Sequence, residues 1–506
     1  MKRPIVVACI VLLAAGSVFA QGTSKGSAPE IVVQLMDNEQ PDYGIVVAQI
    51  NKILLQKLNV TVKIQHLTWT DWQQNYKLLI TSGARCDVLY AANWNNYADY
   101  ARNGAYTQLD SLVPKTIPTL YKAIPKTSWD GVKVGGKIYA VPPLRYGYSI
   151  SFHAVWRDDL RQKYGVPPIT DMVSLEKFLD AIKQNEPSMY PCEESTSLQG
   201  SWWNTLYTYV LAKAHPNNAW MEGVLPQSNL LFFDYKNPNS DMKAPWEFPE
   251  YRQFLQTMQT YAQRGYWGKD VLAEKSIAPE LLEAGKTAAI IGGGENVDKL
   301  QELIQRVAKN NPTWKIGEFS WDKLRGFAVP SAAQQDVSTI PIQAKYPELG
   351  LKVVEAFLLD KNLQYLIDYG IRGVHYDINA KGEYVQLPGA KNFNIFGMAA
   401  WAWKNAGLFL ADGSVWGHEH DAYLKYFDTI AVPNNGFSFS VDPVQAEWTA
   451  CYQVEQQYGY PLWSGLVANI DDGERVLEQQ LKAAGFDKVR AEIKNQWLEY
   501  QKEMGQ

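Results

Sequence analysis

Cysteine is scarce in this chain of 506 residues, which contains four. Cys9 lies in the N-terminal apolar run, so an odd number follows: Cys86, Cys192 and Cys451. Three thiols cannot all pair with one another, and their spacing fits neither a CxxC metal site nor a CxxC redox motif. We therefore expect no disulfide framework and three small, buried, apolar side chains.

Positive charge is also in short supply. The 48 lysines and arginines are outnumbered by 53 acidic residues, for a formal net charge of -5. The first twenty residues carry Lys2 and Arg3 but no acid, so the rest of the chain is more acidic still. A nucleic-acid or anionic-membrane partner requires a basic protein face. We therefore predict no nucleic-acid partner and no binding to anionic membranes.

Long apolar runs are absent beyond the N-terminus. Residues 1–20 combine a basic start, the short apolar run Ile5–Ala15 and small residues before Gln21, which is the pattern of a cleavable signal peptide. No cysteine stands at the expected cleavage point, so the lipobox of a lipid-anchored protein is absent. The best later candidate for a membrane span, Asn394–Leu410, is interrupted by Lys404. We predict an exported protein, free in the periplasm or outside the cell.

Signatures of common catalytic and cofactor sites are missing as well. Residues 131–137 have the spacing of a phosphate-binding loop, but Ile138 replaces the Ser or Thr that would hold Mg²⁺. The chain has no GxSxG motif of a serine hydrolase. Residues 377–386 begin like a calcium loop, yet Pro388 stands where the bidentate Glu belongs. We predict no catalytic residue, cofactor or metal, although a pair of glycosidase carboxylates would leave no local signature.

Strands and helices alternate from residue 30 onward. Glu30–Met36 is predicted to be a strand, and the helix after it is predicted to end at Asn59. A second strand is predicted to start at Val60, and Asp87–Ala91 is predicted to form a third. Such alternation predicts βαβ units and a mostly parallel sheet. Ligands bind beyond the carboxyl ends of such strands, which here are residues 37–43, 66–72 and 92–97.

A second α/β unit is predicted to follow the Pro142-Pro143 pair. In it, Thr287–Ile291 forms a strand that runs into three glycines. Further on, a strand at 338–342 feeds one long helix over Leu349–Tyr369, and the chain from 448 to 504 is mostly helical. A single apolar core stops growing near about 250–300 residues, so a chain of this length is expected to contain at least two. The predicted fold class is α/β.

Several segments together resemble one protein family. They are the exported N-terminus, DVLYAANW at 87–94, GAYTQLDSLV at 104–113, GKIYAVP at 136–142, WRDDLRQKYG at 156–165, LEAGKTAAII at 282–291, IPIQAKYPEL at 340–349 and YGIRGVHY at 369–376. The chain resembles the extracellular solute-binding proteins of bacterial ABC importers, in the family 1 carbohydrate-binding group that includes maltose- and alginate-oligosaccharide-binding proteins. The tail, AAGFDKVRAEIKNQWLEYQ at 483–501, is similar to the LipO-like branch of that group.

The resemblance implies a periplasmic binding protein fold with two α/β lobes, a hinged cleft between them and C-terminal helices. It places residues 28–143 and 325–385 in lobe 1, residues 144–324 and 386–450 in lobe 2, and residues 451–506 in the helical region. It also implies a monomer that closes on a carbohydrate of oligosaccharide size and delivers it to an ABC permease in the inner membrane. Two other functions stay open: a glycoside-cleaving enzyme, and a binding protein for another solute such as a peptide.

Aromatic residues are abundant, with 18 Trp, 29 Tyr and 17 Phe. Trp and Tyr planes cover the C–H face of a pyranose, while charged and amide groups bond its hydroxyls. Candidate ligand contacts are residues at strand ends or in predicted loops, where helix packing does not explain them. They are Trp69, Trp94, Arg145, Tyr146, Trp202, Trp203, Glu295, Arg372, His375, Tyr376 and Trp401.

Each kind of candidate has a structural alternative. Trp72 falls at helical spacing and is predicted to belong to the core, and one of the tryptophans at 202–203 is expected to pack inward. Arg145 and Arg372 are either ion-pair partners or, if both reach the cleft, a pair suited to a uronate carboxylate. The glycines at 292–294 are either a close approach to ligand or a tight strand end.

Overall fold

The structure is a computed structural model that describes residues 28–68, 72–144, 147–148, 152–192, 201–222, 225, 228–273, 278–297, 299–393, 395, 398, 401–412, 415–434 and 436–503. Within those ranges, the description excludes the side chains of residues 201–202, 293–295, 301–302, 309, 415–416 and 503. The described chain forms two α/β units, each on its own sheet, followed by a C-terminal helical region.

The first unit alternates strands and helices, as predicted. Its elements are β1 (Glu30–Met36), α1 (Tyr43–Leu58), β2 (Thr61–Leu67), α2 (Trp72–Ser82), β3 (Val88–Ala91), a 3₁₀ turn (Asn93–Asn95), α3 (Tyr97–Arg102), α4 (Leu112–Thr116), α5 (Pro118–Ala123), α6 (Lys126–Gly131), β4 (Lys133–Val134), β5 (Lys137–Ile138) and β6 (Ala140–Val141). Helix α1 buries Val46, Ile50 and Leu54 at helical spacing. It ends at Asn59, as predicted, in the left-handed conformation that often terminates helices.

The second unit contains more helix than the first. Its elements are β7 (Phe152–Arg157), α7 (Asp158–Lys163), α8 (Met172–Asn185), β8 (Tyr190–Cys192), α9 (Ser201–Ala214), β9 (Trp220–Met221), β10 (Phe233–Asp234), a 3₁₀ turn (Pro245–Glu247), α10 (Tyr251–Arg264), a 3₁₀ turn (Val271–Ala273), α11 (Ala278–Glu283), β11 (Thr287–Asn296), α12 (Leu300–Asn310), β12 (Ile316–Ser320) and α13 (Trp321–Arg325). Helix α8 begins at a capping box in which the Asp171 carboxylate accepts from the Ser174 backbone N–H.

The remaining elements return to the first sheet and then form the helical tail. They are β13 (Val337–Thr339), α14 (Pro347–Leu359), α15 (Lys361–Tyr369), β14 (Tyr376–Ile378), β15 (Tyr384–Gln386), three 3₁₀ turns (Pro388–Lys391, Trp401–Trp403, Ala406–Leu408), α16 (Val415–Ile430), a 3₁₀ turn (Asp442–Val444), α17 (Gln445–Val454), a π turn (Glu455–Gly459), α18 (Tyr460–Trp463), α19 (Ile470–Ala484) and α20 (Phe486–Glu503). The predicted single helix over 349–369 is wrong. It is two helices, because Asp360 leaves the helical conformation and its carboxylate caps α15.

Each unit is organised by one sheet of four or five strands. The first sheet has the order β2-β1-β3-β13-β6, in which β13 is antiparallel to both of its neighbours, whereas β1 is parallel to β2 and to β3. The second has the order β12-β7-β11-β8, in which β7 is antiparallel to β11 and β12 while β8 is parallel to β11. Helices cover the sheets, which explains why strands such as β1 are buried along almost their whole length.

The apolar side chains fall into separate clusters behind the two sheets. Phe393, Met398 and Trp403 belong to the core of the first sheet, although residues 386–450 were expected in lobe 2. Conversely, Ala328 packs with the second unit, although lobe 1 was expected to resume at residue 325. These four side chains pack across the lobe boundaries expected from the sequence, and the boundaries themselves remain a prediction.

The C-terminal helices share the core of the second unit. Trp448, Trp463 and Trp497 are all buried in the cluster that contains α8, α9 and α10. The rings of Trp203 on α9 and Trp463 on α18 stack with centroids 4.1 Å apart and an interplanar angle of 25°. The tail is therefore part of the second unit's fold and not an appended module.

The three cysteines that follow the N-terminal run are buried, as predicted. Cys86 lies in the core of the first sheet, and Cys192 and Cys451 lie in the core of the second unit. Among the helices of the described ranges, none is both long and apolar enough to cross a bilayer.

Replacing Trp203 with alanine should lower the free energy of unfolding by about 3–5 kcal/mol, because the indole is 1% exposed and its loss leaves a large cavity beneath Trp463. Urea unfolding followed by circular dichroism measures the change. Leu498→Ala on α20, at a side chain that is 46% exposed, is the control and should cost about 0.5 kcal/mol or less. Similar losses in both variants would contradict the assignment of Trp203 to the core.

Candidate ligand-binding site

Parallel pairing brings the carboxyl ends of three strands to one edge of the first sheet. β1 pairs in parallel with β2, through Met36 and Leu67 at the end of each, and with β3. β13 runs in the opposite direction, and its first residue, Val337, pairs with Ala91 at the end of β3. The segment before β13 therefore reaches the same edge, which is where ligands bind in sheets of this kind.

Three tryptophans and a buried tyrosine form a series of ring contacts at this edge. Trp94 lies in the 3₁₀ turn after β3, with its ring centroid 5.4 Å from that of Trp72 and 6.2 Å from that of Tyr90. The ring of Trp401 lies 5.9 Å from that of Tyr90. The three indoles are half-buried, whereas Tyr90 is 2% exposed. We call these four side chains the aromatic edge cluster.

A carboxylate adjoins the aromatic edge cluster. The Tyr90 hydroxyl donates a hydrogen bond to Asp336, the residue before β13. Burial and the nearby Asp336 carboxylate raise the pKa of Tyr90 well above its usual range, so the phenol stays protonated and acts as a donor. Asp336 is half-buried, and a carboxylate accepts several hydrogen bonds. Flat apolar rings and a hydrogen-bonding carboxylate thus lie together at one sheet edge.

A buried framework holds Trp401 in place. The neighbouring Trp403 is 1% exposed, and its ring lies 4.4 Å from that of Phe357 on α14. Lys404 forms a buried ion pair with Asp368 on α15. Both contacts attach the segment to the helices of the first unit, so the position of Trp401 is set by core packing. Trp403 itself belongs to the core of the first sheet.

Two predicted ligand contacts are buried structural residues instead. Trp203 faces inward and stacks on Trp463, because its segment is helix α9 and not the predicted loop. His375 is fully buried, with Nδ1 accepting from the Ile371 backbone N–H at 2.9 Å and Nε2 3.1 Å from Oδ2 of Asp42. These bonds tie the turn after α15 to the start of α1. Both side chains are buried in this structure.

Two further predicted contacts lie at the β14–β15 hairpin and the turn before it. Tyr376 is buried against Tyr384, with the rings stacked at 6.1 Å. Arg372 is exposed and donates from Nε to Asp377 at 2.8 Å. The hairpin has its own small aromatic core, which accounts for both residues. The expected role of Arg372 in binding an acidic sugar is therefore not supported.

Five predicted contacts remain predictions. Trp69, Arg145 and Tyr146 lie outside the described residues, and the side chains of Trp202 and Glu295 are also outside the description. The backbone at 202 belongs to α9 and that at 295 to the end of β11. Of the eleven predicted contacts, Trp94 and Trp401 are the two whose described side chains lie in the aromatic edge cluster.

Trp72 was predicted to belong to the core, and its half-buried side chain does pack against the core of the first sheet. It is the first residue of α2, the helix that follows β2. Its ring also contacts that of Trp94, so the same side chain is part of the aromatic edge cluster, although the candidate contacts from the sequence did not include it.

In the second unit, the glycine-rich end of β11 serves packing. The strand pairing shifts between Ile290 and Glu295, which marks a bulge. A Cβ on Gly292 would lie 2.7 Å from the Thr205 Cβ of α9. The Trp321 indole N–H donates to the Ile291 carbonyl oxygen. Close approach of α9 therefore explains the need for glycine at 292.

A titratable cluster lies between the second sheet and α16. Oε1 of Glu318 accepts from the Tyr423 hydroxyl at 2.6 Å, and Oε2 lies 3.6 Å from Nε2 of the fully buried His153. Burial raises the pKa of Glu318 to about 7. Lys323 places its ammonium 3.8 Å from the centre of the Tyr423 ring. Among the residues described, no group of three or more His, Cys, Asp or Glu side chains is arranged to hold a metal ion.

The segments that cross between the two sheets lie beside one another. The first crossover joins β6 to β7, the second joins α13 to β13, and the third leads from the Trp401–Trp403 turn to α16. The Ser331 backbone N–H donates to the Gly147 carbonyl oxygen at 2.7 Å, which joins the second crossover to the first. Leu144 in the first crossover donates to the Lys404 carbonyl oxygen at 3.0 Å, at the start of the third. Ala328 pairs with Ala431 after α16. Backbone hydrogen bonds between extended segments thus connect the two units.

Two protein-family models match the chain. One, described as bacterial extracellular solute-binding protein, matches residues 46–392, which is more than half of the chain. The other, described as a domain of unknown function, matches residues 433–502. A carbohydrate ABC transporter substrate-binding protein of Streptococcus pneumoniae serotype 4 is 24% identical over 98% of this chain and 97% of its own length.

Solved structures share the fold over nearly the full chain. The N-glycan transport solute binding protein NgtS of Streptococcus pneumoniae, in complex with Man1GlcNAc, has a TM-score of 0.71 and 22% identity, covering 94% of this chain and 100% of its own. The alginate-binding protein AlgQ2 has a TM-score of 0.62 and 15% identity, covering 93% and 98%. The predicted α/β fold with two lobes is confirmed by these similarities.

The Glu318 environment predicts a pH effect on stability. The folded-state pKa of about 7 exceeds the ordinary value of 4.5, so the unfolded chain releases this proton at lower pH than the folded chain does. The Glu318 contribution to the free energy of unfolding is therefore fully present below about pH 4.5 and is lost as pH rises through about 7. The free energy of unfolding of the parent should therefore decline as pH rises, and we expect Glu318→Gln to make this decline smaller by about 2–3 kcal/mol.

Urea unfolding of both proteins at intervals from pH 5 to pH 8 measures this difference. The exposed Glu499→Gln on α20 is the control and should leave the pH dependence of the parent unchanged. Parallel pH curves for the parent and Glu318→Gln would show that the carboxyl does not titrate in this range.

Proposed function

This chain belongs to the bacterial extracellular solute-binding proteins, and we propose that it captures a carbohydrate of oligosaccharide size for an ABC importer. The observation that carries the carbohydrate assignment is the aromatic edge cluster beside Asp336. Half-buried indole rings cover the C–H face of a sugar, and carboxylates bond its hydroxyls. A carbohydrate transporter name for the Streptococcus relative and glycan names for two structural neighbours support the same ligand class.

Ligand contacts in the first unit would come from Trp72, Trp94 and Trp401, with Asp336 and Tyr90 forming the polar part. Trp72 and Trp94 meet at an interplanar angle of 78°, so they present faces in different directions. Rings at such an angle suit successive sugar units or the two sides of one residue better than a single flat aromatic ligand. We retain Trp69, Arg145, Tyr146, Trp202 and Glu295 as proposed contacts.

Capture would proceed by closure of the two units on the ligand. Backbone-bonded crossovers permit rotation of one sheet relative to the other without disturbing either core. A ligand that contacts both units favours the closed arrangement by the difference between its affinities for the closed and open forms. The proposed lobes are the first unit, formed by residues 28–143 and about 330–412, and the second unit, formed by the rest of the described chain.

A neutral oligosaccharide fits the described residues better than a uronate. Two arginines were the basis for an acidic ligand, and Arg372 is exposed and bonded to Asp377. Asp336 at the edge would repel a ligand carboxylate in its vicinity. An acidic oligosaccharide would therefore need cationic groups outside the described residues, such as Arg145.

The proposal includes an exported, monomeric protein without catalytic activity. The N-terminal 20 residues suit a cleavable signal peptide, and the expected cut lacks a lipobox cysteine. Release into the periplasm, or outside the cell, would let the loaded protein reach an ABC permease in the inner membrane. Hydrolysis of a bound oligosaccharide by the purified protein would overturn the non-enzymatic part of this proposal.

We expect Trp94→Ala and Trp401→Ala each to weaken oligosaccharide binding by about 10–100-fold, because each removes a stacking surface. A thermal-shift screen identifies a ligand among three classes of compound. These are neutral oligosaccharides such as Man1GlcNAc, acidic oligosaccharides, and peptides. Calorimetric titration of that ligand then gives the dissociation constants of the parent and the variants.

Trp246→Ala is the matched control, since this half-buried indole packs on Phe486 of the C-terminal region. It should leave the affinity within about two-fold of the parent, and unfolding curves must show that all three variants remain folded. Peptide binding without oligosaccharide binding would contradict the proposed ligand class. Unchanged affinity in both edge variants would contradict the proposed site.

A further inference from the structure

The C-terminal region that matches the family model of unknown function reaches both units. Residues 436–442, which we call the bridging segment, lie between α20 and α3. On the α20 side, the ring of Phe437 lies 5.3 Å from that of Trp497. The Ser440 backbone N–H donates to Gln496 Oε1 at 2.8 Å, and Gln496 Nε2 donates to the Ser440 carbonyl oxygen at 2.9 Å. The bridging segment is therefore fixed to α20.

Helix α20 is in turn fixed to the second unit. The ring of Trp497 lies 5.2 Å from that of Phe233 in β10. Arg490 Nη1 donates to Glu247 at 2.6 Å and Nη2 to the Met242 carbonyl oxygen at 2.6 Å. Close-packed apolar contacts of this kind resist separation. The bridging segment must therefore move with the second unit.

The contact between the bridging segment and the first unit is polar. Asn103, just after α3, donates from Nδ2 to Asp442 Oδ2 at 3.0 Å. The Ser440 hydroxyl bonds the Asp99 carboxylate, which also accepts from Arg102 Nη1 at 3.1 Å. Burial raises the pKa of Asp99, and the like charge of Asp442 raises it further. Two acids thus face each other, bridged by neutral and basic donors.

The bridging segment begins at the crossovers between the units. Gln334, in the second crossover, donates from Nε2 to the Gly436 carbonyl oxygen. Asn434 donates from Nδ2 to the Pro330 carbonyl oxygen at 2.7 Å. Rotation at the crossovers would therefore shift the bridging segment relative to α3.

We propose that the C-terminal region acts as a brace that sets the equilibrium between the relative positions of the two units, through the polar contact of Ser440 and Asp442 with Asp99 and Asn103. Its apolar side stays attached to the second unit. Its polar side exchanges protein hydrogen bonds for hydrogen bonds to water at small net cost, so this is the side that forms and breaks. This role rests on the proposed closure but not on the identity of the ligand.

Charge variants test the brace in opposite directions. Asn103→Asp places a third acid beside Asp99 and Asp442 and should disfavour the contact. Asp442→Asn removes the like charge facing Asp99 and retains an oxygen that accepts from Asn103, so it should favour the contact. We expect each variant to change the ratio of the two populations by about three-fold or more, the size expected for like charges at a half-buried site.

Pulsed electron resonance between two nitroxide labels reports the relative position of the units. The labels are attached at Lys52→Cys in α1 and Gln256→Cys in α10, which are exposed positions in different units. The native cysteines are buried, which favours labelling at the introduced sites. In the ligand-free protein, the two charge variants should shift the distance distribution in opposite directions. Asn495→Asp, the same charge change on an exposed position of α20, should leave it unchanged.

Unchanged distributions in both charge variants, or shifts in the same direction, would overturn the brace. Unfolding followed by circular dichroism must show that each variant keeps the folded structure of the parent. The double variant Asn103→Asp with Asp442→Asn is the rescue, and its distance distribution should return toward that of the parent. Because no ligand is added, failure to bind any oligosaccharide would leave this measurement intact. The brace and the proposed carbohydrate function can therefore fail separately.

Discussion

Apolar packing behind two separate sheets, with backbone hydrogen bonds between the crossovers that join them, is the constraint on which the rest of the structure depends. Each sheet buries its own cluster of side chains, so each unit can stay rigid while its position relative to the other changes. Crossovers such as those at Gly147 and Ser331 contribute backbone bonds rather than core. A protein built in this way can change shape without losing either core.

The same constraint determines where the candidate site lies. Parallel strands place their carboxyl ends at one edge, and the helices that follow cover the faces but not that edge. Trp72, Trp94 and Trp401 come from three separate segments of the chain, and each packs against the core of the first sheet. Trp401 in particular is positioned by Trp403 and by the buried pair of Lys404 with Asp368. The rigidity of the first unit is thus what orients the aromatic surface.

Polar groups form contacts both inside a unit and between the bridging segment and α3, and these two kinds of contact differ. Inside a unit they are buried and specific, as with Glu318, whose pKa of about 7 reflects desolvation. Between the bridging segment and α3 they face one another as two carboxylates bonded by Ser440, Arg102 and Asn103. Contacts inside a unit favour one arrangement strongly, whereas the contact between the bridging segment and α3 is sensitive to small changes in charge. This difference is what the proposed brace depends on.

The sequence by itself determined the α/β class, the alternation of elements in the first unit, the end of α1 at Asn59 and the burial of the three cysteines, because hydrophobic periodicity and helix-capping chemistry are local. It also indicated the family, since its motifs occur in order along nearly the whole chain. Local reasoning failed where two distant segments compete for the same side chain. Trp203 and His375 occur in stretches that resemble loops, yet Trp463 and Asp42 hold them inside the protein. Tertiary structure alone decided which tryptophans are core and which reach the sheet edge, because burial depends on partners that can lie hundreds of residues away in the chain.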